Sequence, residues 1–369
     1  MLLINCMILL STVFNSPVVN KDSTVSFCFR GNAKRVCVQT NMQFVGEDST
    51  NYNDLHTRKF KMKLQSDGCF HFTTRPALPE TYTYCFRING KRKPDPYNQD
   101  TAWQMIHKWN VVSIGGSPQA DLYLQPELKG QLIKTHWYDN EEQQYRRVNI
   151  YLPSGYESPS TNHHSSDYPV LYLLHGINGY EGSWSERGRV IQIIENLVAS
   201  HSIEPMIVVM PDCNIGKHED RPSHQTLWNN IVHYPRLCHD HSLENALEDL
   251  MHYVDTTYRV STKRYIAGLS SGARIAANIV NLYPGKFLAL GLFSPVVYKE
   301  QLPSKNTDML IAVYIGKDDL FINNGRRFHK RLTEKDIPHT YTETIGGHTW
   351  RNWRLYLTDF LQRVSAIEN

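Results

Sequence analysis

Between Arg264 and Pro284 the chain has to pass from a short apolar strand into a helix within a few residues. Residues 265–269 are an apolar run of strand type. Residues 272–283 carry Ile275, Ala276, Ile279 and Leu282 at helical spacing, before Pro284-Gly285 ends the pattern. The junction reads Gly268-Leu-Ser270-Ser-Gly272, a G-x-S-x-G pentapeptide. A serine in a tight strand-to-helix turn holds its hydroxyl clear of the sheet. The flanking positions are then too crowded for a β-carbon, so glycine occupies them. The backbone N–H of Ser271, at the helix start, is placed to meet a developing oxyanion. The pentapeptide alone is weak, since it arises by chance in about one chain in ten of this length. Its position between strand and helix gives it weight, and a base and an acid must come from elsewhere.

The rest of the composition narrows the setting. A chain of 369 residues has room for two domains and a sizeable core. With 41% hydrophobic and 20% charged residues it has the make-up of an ordinary soluble globular protein. A formal charge of +3 is too mild to imply nucleic acid. The lysines at 59, 61 and 63 and the run Lys91-Arg92-Lys93 read as solvated strand or turn residues. Seven cysteines are dispersed along the chain, and none forms C-x-x-C, so neither a zinc ribbon nor a thioredoxin motif is signalled. Cys28 and Cys37 are spaced to face each other across a hairpin, but buried thiols are the broader expectation for an odd, scattered set. Residues 1–14 are apolar and too short to span a bilayer. They fit the apolar part of a secretory signal but lack a basic start. Secretion or a periplasmic location is the expectation, with the cytoplasm left open. No other stretch approaches a membrane span.

Residues 25–124 read as β structure: strand-like runs at 26–29, 36–39, 68–72 and 81–88, with Asn89-Gly90 a strong hairpin turn. Short strands separated by turns predict a small sandwich. Residues 124–130 make the linker. Beyond it, apolar strands at 147–152, 170–174, 206–210, 290–293 and 309–315 alternate with helical patterns such as 191–197 and 243–258. That alternation predicts a mostly parallel sheet covered on both faces.

In such a sheet, functional groups gather beyond the carboxyl ends of the strands. The strand at 311–315 ends in Gly316-Lys-Asp318-Asp319, and the strand at 341–345 ends in Gly346-Gly347-His348. The order Ser…Asp…His suits an α/β-hydrolase, with His348 as the base for Ser270. Of the two adjacent acids only one can point at the histidine. Asp319 is preferred over Asp318 because it lies three residues past Gly316 and just before Leu320-Phe321. The turn His175-Gly176-Ile177 follows another strand end, with the backbone N–H of Ile177 the candidate second oxyanion donor and His175 a structural, hydrogen-bonded residue. Trp350, Trp353, Leu357 and Phe360, on the helix after His348, are expected to anchor that helix in the core rather than touch substrate. His233, Cys238, His239, Asp240 and His241 match no defensible zinc pattern and read as a polar rim loop. No metal and no cofactor is expected.

Two resemblances add to this reading. The N-terminal stretch, through Asn32-Ala-Lys-Arg-Val36, Asp67-Gly68, Tyr82-Thr-Tyr84, Ile88-Asn-Gly90 and Asp95-Pro-Tyr-Asn98, resembles the immunoglobulin-like early-set domains of glycogen-branching enzymes and some carbohydrate esterases. Some of those modules bind glycans through exposed aromatics. Trp103, Trp109 and Tyr97 are the corresponding candidates here, set against a role in the sandwich core or at the domain interface.

The remainder is similar to carbohydrate esterase family 1, the esterase-D-like group. That likeness rests on Arg147-Val-Asn-Ile-Tyr-Leu-Pro-Ser-Gly-Tyr156, Tyr168-Pro-Val-Leu-Tyr-Leu-Leu-His-Gly176, Pro205-Met-Ile-Val-Val-Met-Pro211, Gly268-Leu-Ser-Ser-Gly272 and Gly346-Gly-His-Thr-Trp350. It implies a Ser-His-Asp esterase without a cofactor. Where relatives often read Ser-Met-Gly-Gly, this chain reads Ser270-Ser-Gly-Ala273, and backbone donation by residue 271 does not depend on its side chain.

The expected architecture is therefore an α/β-hydrolase over residues 127–369, preceded by a small all-β sandwich over 21–126 and a leader over 1–20. The expected activity is release of hydroxycinnamoyl or acetyl groups from plant cell-wall polysaccharide, with the esterified polysaccharide as the partner and the oligomeric state open. A catecholate siderophore esterase is the alternative within the class, kept by Arg187, Arg189 and Arg274 as a basic pocket. A non-catalytic glycan-binding protein is the alternative outside it.

Overall fold

A computed structural model describes residues 15–48, 52–104, 106–127, 129–156, 167–214, 242–296, 303 and 308–367. The apolar start at 1–14 and the histidine-rich stretch around His233 to His241 lie outside these residues.

Alternating inward residues build the N-terminal sandwich. Val25 and Phe27 from one sheet meet Val36, Val38, Tyr82, Tyr84 and Phe86 from the other, all but closed to solvent. The first sheet runs Val18–Val19, Val25–Arg30, Cys69–Thr73, Lys63–Leu64. The second runs Arg58–Lys61, Val36–Thr40, Glu80–Ile88, His107–Ile114, Thr101–Gln104, with Lys91–Lys93 added beside Glu80–Ile88. Asn89 and Gly90 turn that last hairpin with φ of 50° and 86°, the left-handed pair a two-residue turn requires.

Two expectations change here. Cys28 and Cys37 do not face each other. The chain crosses from one sheet to the other between them, because Phe27 and Val38 must enter the same core from opposite sides. The proposed leader also reaches too far. Val18–Val19 pairs with Val25 and Ser26, and the Ser16 hydroxyl donates to buried Asp95 at 2.6 Å.

The second sheet system has eight strands, ordered Gln131–Asp139, Gln144–Leu152, Ile207–Pro211, Tyr168–Leu174, Val260–Leu269, Ala289–Phe293, Leu310–Gly316, Thr340–Thr344. Pairing is parallel from Ile207–Pro211 onward and antiparallel at the Gln131–Asp139 edge. Val170 to Leu174 and Ala289 to Phe293 are buried on both sides, the pattern of a sheet covered twice. Helices Ser242–Thr257, Ser271–Leu282 and Ile322–Glu334 pack on one face through Leu247, Ile279 and Leu332. Helices Val190–Ala199 and Trp350–Ala366 pack on the other through Ile194, Leu357 and Phe360. This is an α/β-hydrolase sheet carrying a separate β-sandwich at its N-terminal side.

The two parts meet through ion pairs beside an apolar contact in which Ala120 and Tyr123 join the hydrolase core. Arg354, on the C-terminal helix and 2% exposed, donates to Glu80 of the sandwich at 2.8 Å, and Arg351 pairs with the same carboxylate at 3.3 Å. Arg189 pairs with Asp100 at 2.9 Å, and Glu186 accepts the Trp103 N–H at 2.9 Å. A buried pair of this kind fixes an orientation more than it adds stability.

Candidate active site

Ser270 sits where Val260–Leu269 turns into Ser271–Leu282, with φ 54° and ψ −117°. Such a backbone is strained for a residue with a side chain, and packing on both sides must hold it there. The crowding is explicit. A β-carbon on Gly268 would lie 2.4 Å from the carbonyl of Gly272, and one on Gly272 would lie 2.4 Å from the His175 carbonyl oxygen. The Ser270 N–H donates to the Phe293 carbonyl at 2.9 Å, which anchors the turn to the neighbouring strand. Ser270 lines a cavity of about 560 Å³ that His348 also lines.

His348 follows the last strand on a loop tied down by Asn352, whose Nδ2 donates to the Ile345 carbonyl at 2.8 Å. Its Nδ1 lies 3.0 and 3.2 Å from the two carboxylate oxygens of Asp319. Asp319 is 2% exposed and also accepts the Phe321 N–H at 2.8 Å. Burial alone would raise this carboxyl. The hydrogen bond and charge of His348 outweigh it and hold the group below the usual aspartate range, helped by Phe321 and Ser294. Asp318 is exposed and turned to the cavity rim, so of the two competing acids it is Asp319 that stands against the histidine.

The turn at 175–177 closes on Ser270. A β-carbon on Gly176 would lie 3.1 Å from that of Ser270, and Ile177 lines the cavity. Ser271 is the first residue of its helix, where an amide has no partner within the helix. Both candidate oxyanion donors thus lie on the elements that flank the serine. His175 is buried, with Nδ1 at 2.8 Å from the Gly176 carbonyl. Its Nε2 accepts the Cys213 N–H at 2.9 Å. A ring held on both nitrogens is a brace for the turn.

Several wall residues were not read from the sequence. Tyr52, Asn53, Asp54, Leu55 and Gln104 come from the sandwich and, with the sequence candidate Trp103, form one side of the cavity. Trp103 is therefore a cavity residue at the interface, whereas Trp109 is buried under the Arg92 guanidinium at 4.4 Å. Trp350 and Trp353 belong to the core as expected, yet both also line the cavity, with Trp353 edge-on to His348 at 4.9 Å. Ser294, at the end of Ala289–Phe293 with φ 49°, accepts from Trp353 Nε1 at 3.0 Å and helps hold Asp319. Its strand-end position was the available signal.

The three arginines considered as a basic pocket are not one. Arg187 lines the cavity but faces Asp54 at 3.5 Å, and burial pulls its pKa down while Asp54 pulls it up. Arg189 pairs with Asp100. Arg274 is buried beside Glu244 at 3.7 Å and does not line the cavity.

A buried carboxylate on a histidine, and a serine on a strained elbow in the same cavity, define the α/β-hydrolase esterase class. Residues 140–364, more than half of the chain, match the family described as "Putative esterase", and the chain belongs to that family. A bacterial relative, the endo-1,4-beta-xylanase/feruloyl esterase of Xylanibacter ruminicola, is 36% identical over 155 residues, which is 40% of this chain and 20% of that protein. Endo-1,4-beta-xylanase Y of Acetivibrio thermocellus is 26% identical over 117 residues, 31% of this chain and 10% of that protein. The matched stretches are thus a fifth or less of either relative's length.

Among solved structures, a ferulic acid esterase of Anaeromyces mucronatus in complex with ferulic acid is similar with a TM-score of 0.54. It is 20% identical and covers 69% of this chain and 97% of its own. The enterobactin esterase of Shigella flexneri is similar with a TM-score of 0.58 at 16% identity, covering 94% of both chains. The second likeness therefore extends through the sandwich, as a likeness of fold.

Proposed function

We propose that the protein is a serine carboxylesterase that releases feruloyl or acetyl groups from plant cell-wall polysaccharide, which would require it outside the cytoplasm. The observation that carries the reading is His348, lining one cavity with Ser270 and backed at 3.0 Å by the buried Asp319 carboxylate. Ser270 attacks the ester carbonyl while His348 Nε2 takes its proton. Asp319, on Nδ1, holds the tautomer and stabilises the imidazolium. The carbonyl oxygen, now negative, is met by the N–H groups of Ser271 and Ile177. His348 returns the proton to the leaving sugar hydroxyl, and a water activated the same way releases the acid from Ser270.

The cavity walls support an aromatic acyl group. Trp350, Trp353 and Tyr180 surround it, and an aromatic ester buries well against such rings. The relative from Xylanibacter, named a xylanase/feruloyl esterase, points the same way. Sandwich residues at the rim suit a substrate that continues past the scissile ester, and the module over 21–126 is proposed to contact the glycan there.

One observation favours a second reading, a catecholate siderophore esterase: the enterobactin esterase matches nearly the whole chain. Charge argues against it. Among the described lining residues, the Arg187 cation is offset by Asp54 and accompanied by Asp318, a poor receptor for a trianion.

Hydrolysis of methyl ferulate, p-nitrophenyl acetate and a linear catecholate ester, wild type beside Ser270→Ala, tests the proposal. Ferulate release that vanishes in the variant is expected. Acetate cleavage without ferulate release assigns a deacetylase, and preference for the catecholate ester assigns the siderophore reading. Absence of any Ser270-dependent turnover would overturn the esterase and leave a glycan-binding protein.

A further inference from the structure

On the far side of the sandwich from this cavity lies a second constellation. Strands Val25–Arg30 and Cys69–Thr73 pair with Cys28 opposite His71 and Arg30 opposite Cys69. Phe27, Phe70 and Phe72 turn to the core, so Cys28, Cys69 and His71 share the outward face. Outward positions of a sandwich are ordinarily polar and wet. Here Cys69 is wholly buried and Cys28 is 9% exposed. Asp67, two residues before Cys69, continues the alternation as Asp67-x-Cys69-x-His71 and reaches the same spot. Its Oδ2 lies 2.8 Å from His71 Nε2, while its Oδ1 accepts the Cys69 N–H at 2.9 Å.

The three donor atoms of Cys28, Cys69 and His71 all lie within 4.8 Å of one another, the one such grouping among the described residues. Cys28 Sγ is 4.0 Å from His71 Nε2. Around a tetrahedral zinc ion, two sulfurs stand about 3.8 Å apart and sulfur and nitrogen about 3.5 Å, given bonds of about 2.3 and 2.0 Å. The Cys28–His71 separation is about 0.5 Å longer than that, and Asp67, though in contact with His71, stands outside the mutual grouping, so the four ligands close on an ion by side-chain rotation.

We propose that Cys28, Cys69, His71 and Asp67 form a binding site for a thiophilic divalent cation, zinc being the best match, which staples the outer face of the sandwich. Two sulfurs, an imidazole and a carboxylate are a closed four-ligand set of the structural kind, with no position left for substrate. Binding replaces the His71–Asp67 hydrogen bond: Nε2 presents its lone pair, the ring proton resides on Nδ1, and the two thiols release their protons to solvent. Two thiolates and a carboxylate around a dication carry one net negative charge. The Arg30 guanidinium, whose Nε donates to Cys69 Sγ at 3.2 Å, supplies the balancing positive charge and an N–H···S bond to the ligand sulfur. In the metal-free protein the Cys28 thiol is pushed up to about 12, chiefly by burial and then by Cys69 beside it, so that sulfur is not poised as a nucleophile.

The test is metal analysis and Co²⁺ substitution of the full chain, purified under reductant. Wild type is expected to retain one zinc per chain and, with Co²⁺, to give the intense visible bands of a tetrahedral site and sulfur-to-cobalt charge transfer for two thiolates. Cys28→Ser/Cys69→Ser loses the metal, and His71→Asn weakens zinc at least tenfold in competition with a chromophoric chelator. Zinc also raises the unfolding midpoint of wild type but not of the double variant. Three results would each overturn the proposal. They are equal zinc content in wild type and the double variant, an octahedral Co²⁺ spectrum, and a Cys28–Cys69 disulfide whose reduction yields thiols that take up no zinc. The wild-type spectrum and the thiol state are read without any variant, so a misfolded variant does not shield the idea.

Discussion

Asp54 of the sandwich accepts a hydrogen bond from the backbone N–H of Trp350 at 2.7 Å, two residues past His348. The N-terminal part thereby grips the start of the helix that follows the histidine loop. The same carboxylate faces Arg187 at 3.5 Å, so one side chain links sandwich, histidine loop and cavity wall. Asp54→Ala leaves a buried N–H and an arginine without that acceptor, a cost of about 1–3 kcal/mol. Turnover of methyl ferulate is expected to fall roughly tenfold in kcat with KM little changed, because His348 loses its placement rather than the substrate its contacts. Asp54→Asn, which keeps an acceptor oxygen, should recover most of the loss. Equal kcat in wild type and Asp54→Ala would refute the coupling.

Leu55 and Trp103 reach the cavity from the sandwich, Leu55 with 61% of its surface exposed. An exposed leucine at a cavity mouth gives nothing to the fold that solvent would not tolerate, but it is available to a bound sugar chain. Leu55→Ala and Trp103→Ala are expected to raise KM for a feruloylated oligosaccharide about tenfold, the order of 1.4 kcal/mol of lost contact. Methyl ferulate, which lacks the chain, should be affected less than threefold. A parallel loss on both substrates would place these residues against the acyl group instead.

The sequence made the nucleophile turn legible because glycines at 268 and 272 answer to a steric demand that is local. The strand-end rule found Asp319 for a similar reason, since it follows the apolar, buried run of Leu310–Gly316, whereas the strand before His348, Thr340–Thr344, is half-buried and polar and the histidine was marked by Gly346-Gly347 instead. What it missed depends on contacts between distant segments. Gln131–Asp139 is an edge strand of mostly exposed and half-buried residues, with only Trp137 and Asp139 buried, and it carries no apolar run to announce it. Tyr52 to Leu55 lie on a sandwich loop that becomes a cavity wall only when Arg354 and Glu80 set the two parts against each other. The Cys28–Cys37 hairpin failed because two strands adjacent in sequence entered opposite sheets.

Glu47 offers a pH-dependent readout independent of catalysis. Its carboxylate bonds Arg58 at 2.7 Å and Arg75 at 2.7 Å, and accepts the Phe44 N–H at 3.1 Å. The Arg58 hydrogen bond foremost, against the opposing effect of burial, depresses its pKa to about 2. The unfolded chain holds glutamate near 4.3, so over the interval between it binds more protons than the folded chain, and stability falls as pH falls. The contribution is complete above about pH 5 and gone below about pH 2. In Glu47→Gln the slope of unfolding free energy against pH should be shallower in this window by up to about one proton, measured by urea titration at stepped pH. An unchanged slope would show that Glu47 is not held by its arginines in solution.

Asp319 can be separated from Asp318 by one conservative exchange at each. Asn at 319 fits the same buried space and its oxygen can still accept from Phe321, so the fold near neutral pH is expected to survive. The amide nitrogen then faces His348 Nδ1 as a donor. That forces the ring proton onto Nε2, the atom that must accept from Ser270. Asp319→Asn should therefore lower kcat by about 10³–10⁴ while KM changes little and the variant, though less stable than wild type, stays folded near neutral pH. Asp318→Asn, at an exposed rim position, should change kcat less than twofold. Below about pH 4 the folded wild type also loses the stabilisation tied to the depressed Asp319 carboxyl, and Asp319→Asn has none to lose. The gap in stability between the two should then narrow as acid is added. A large kcat loss in Asp318→Asn with Asp319→Asn near wild type would reverse the assignment of the acid.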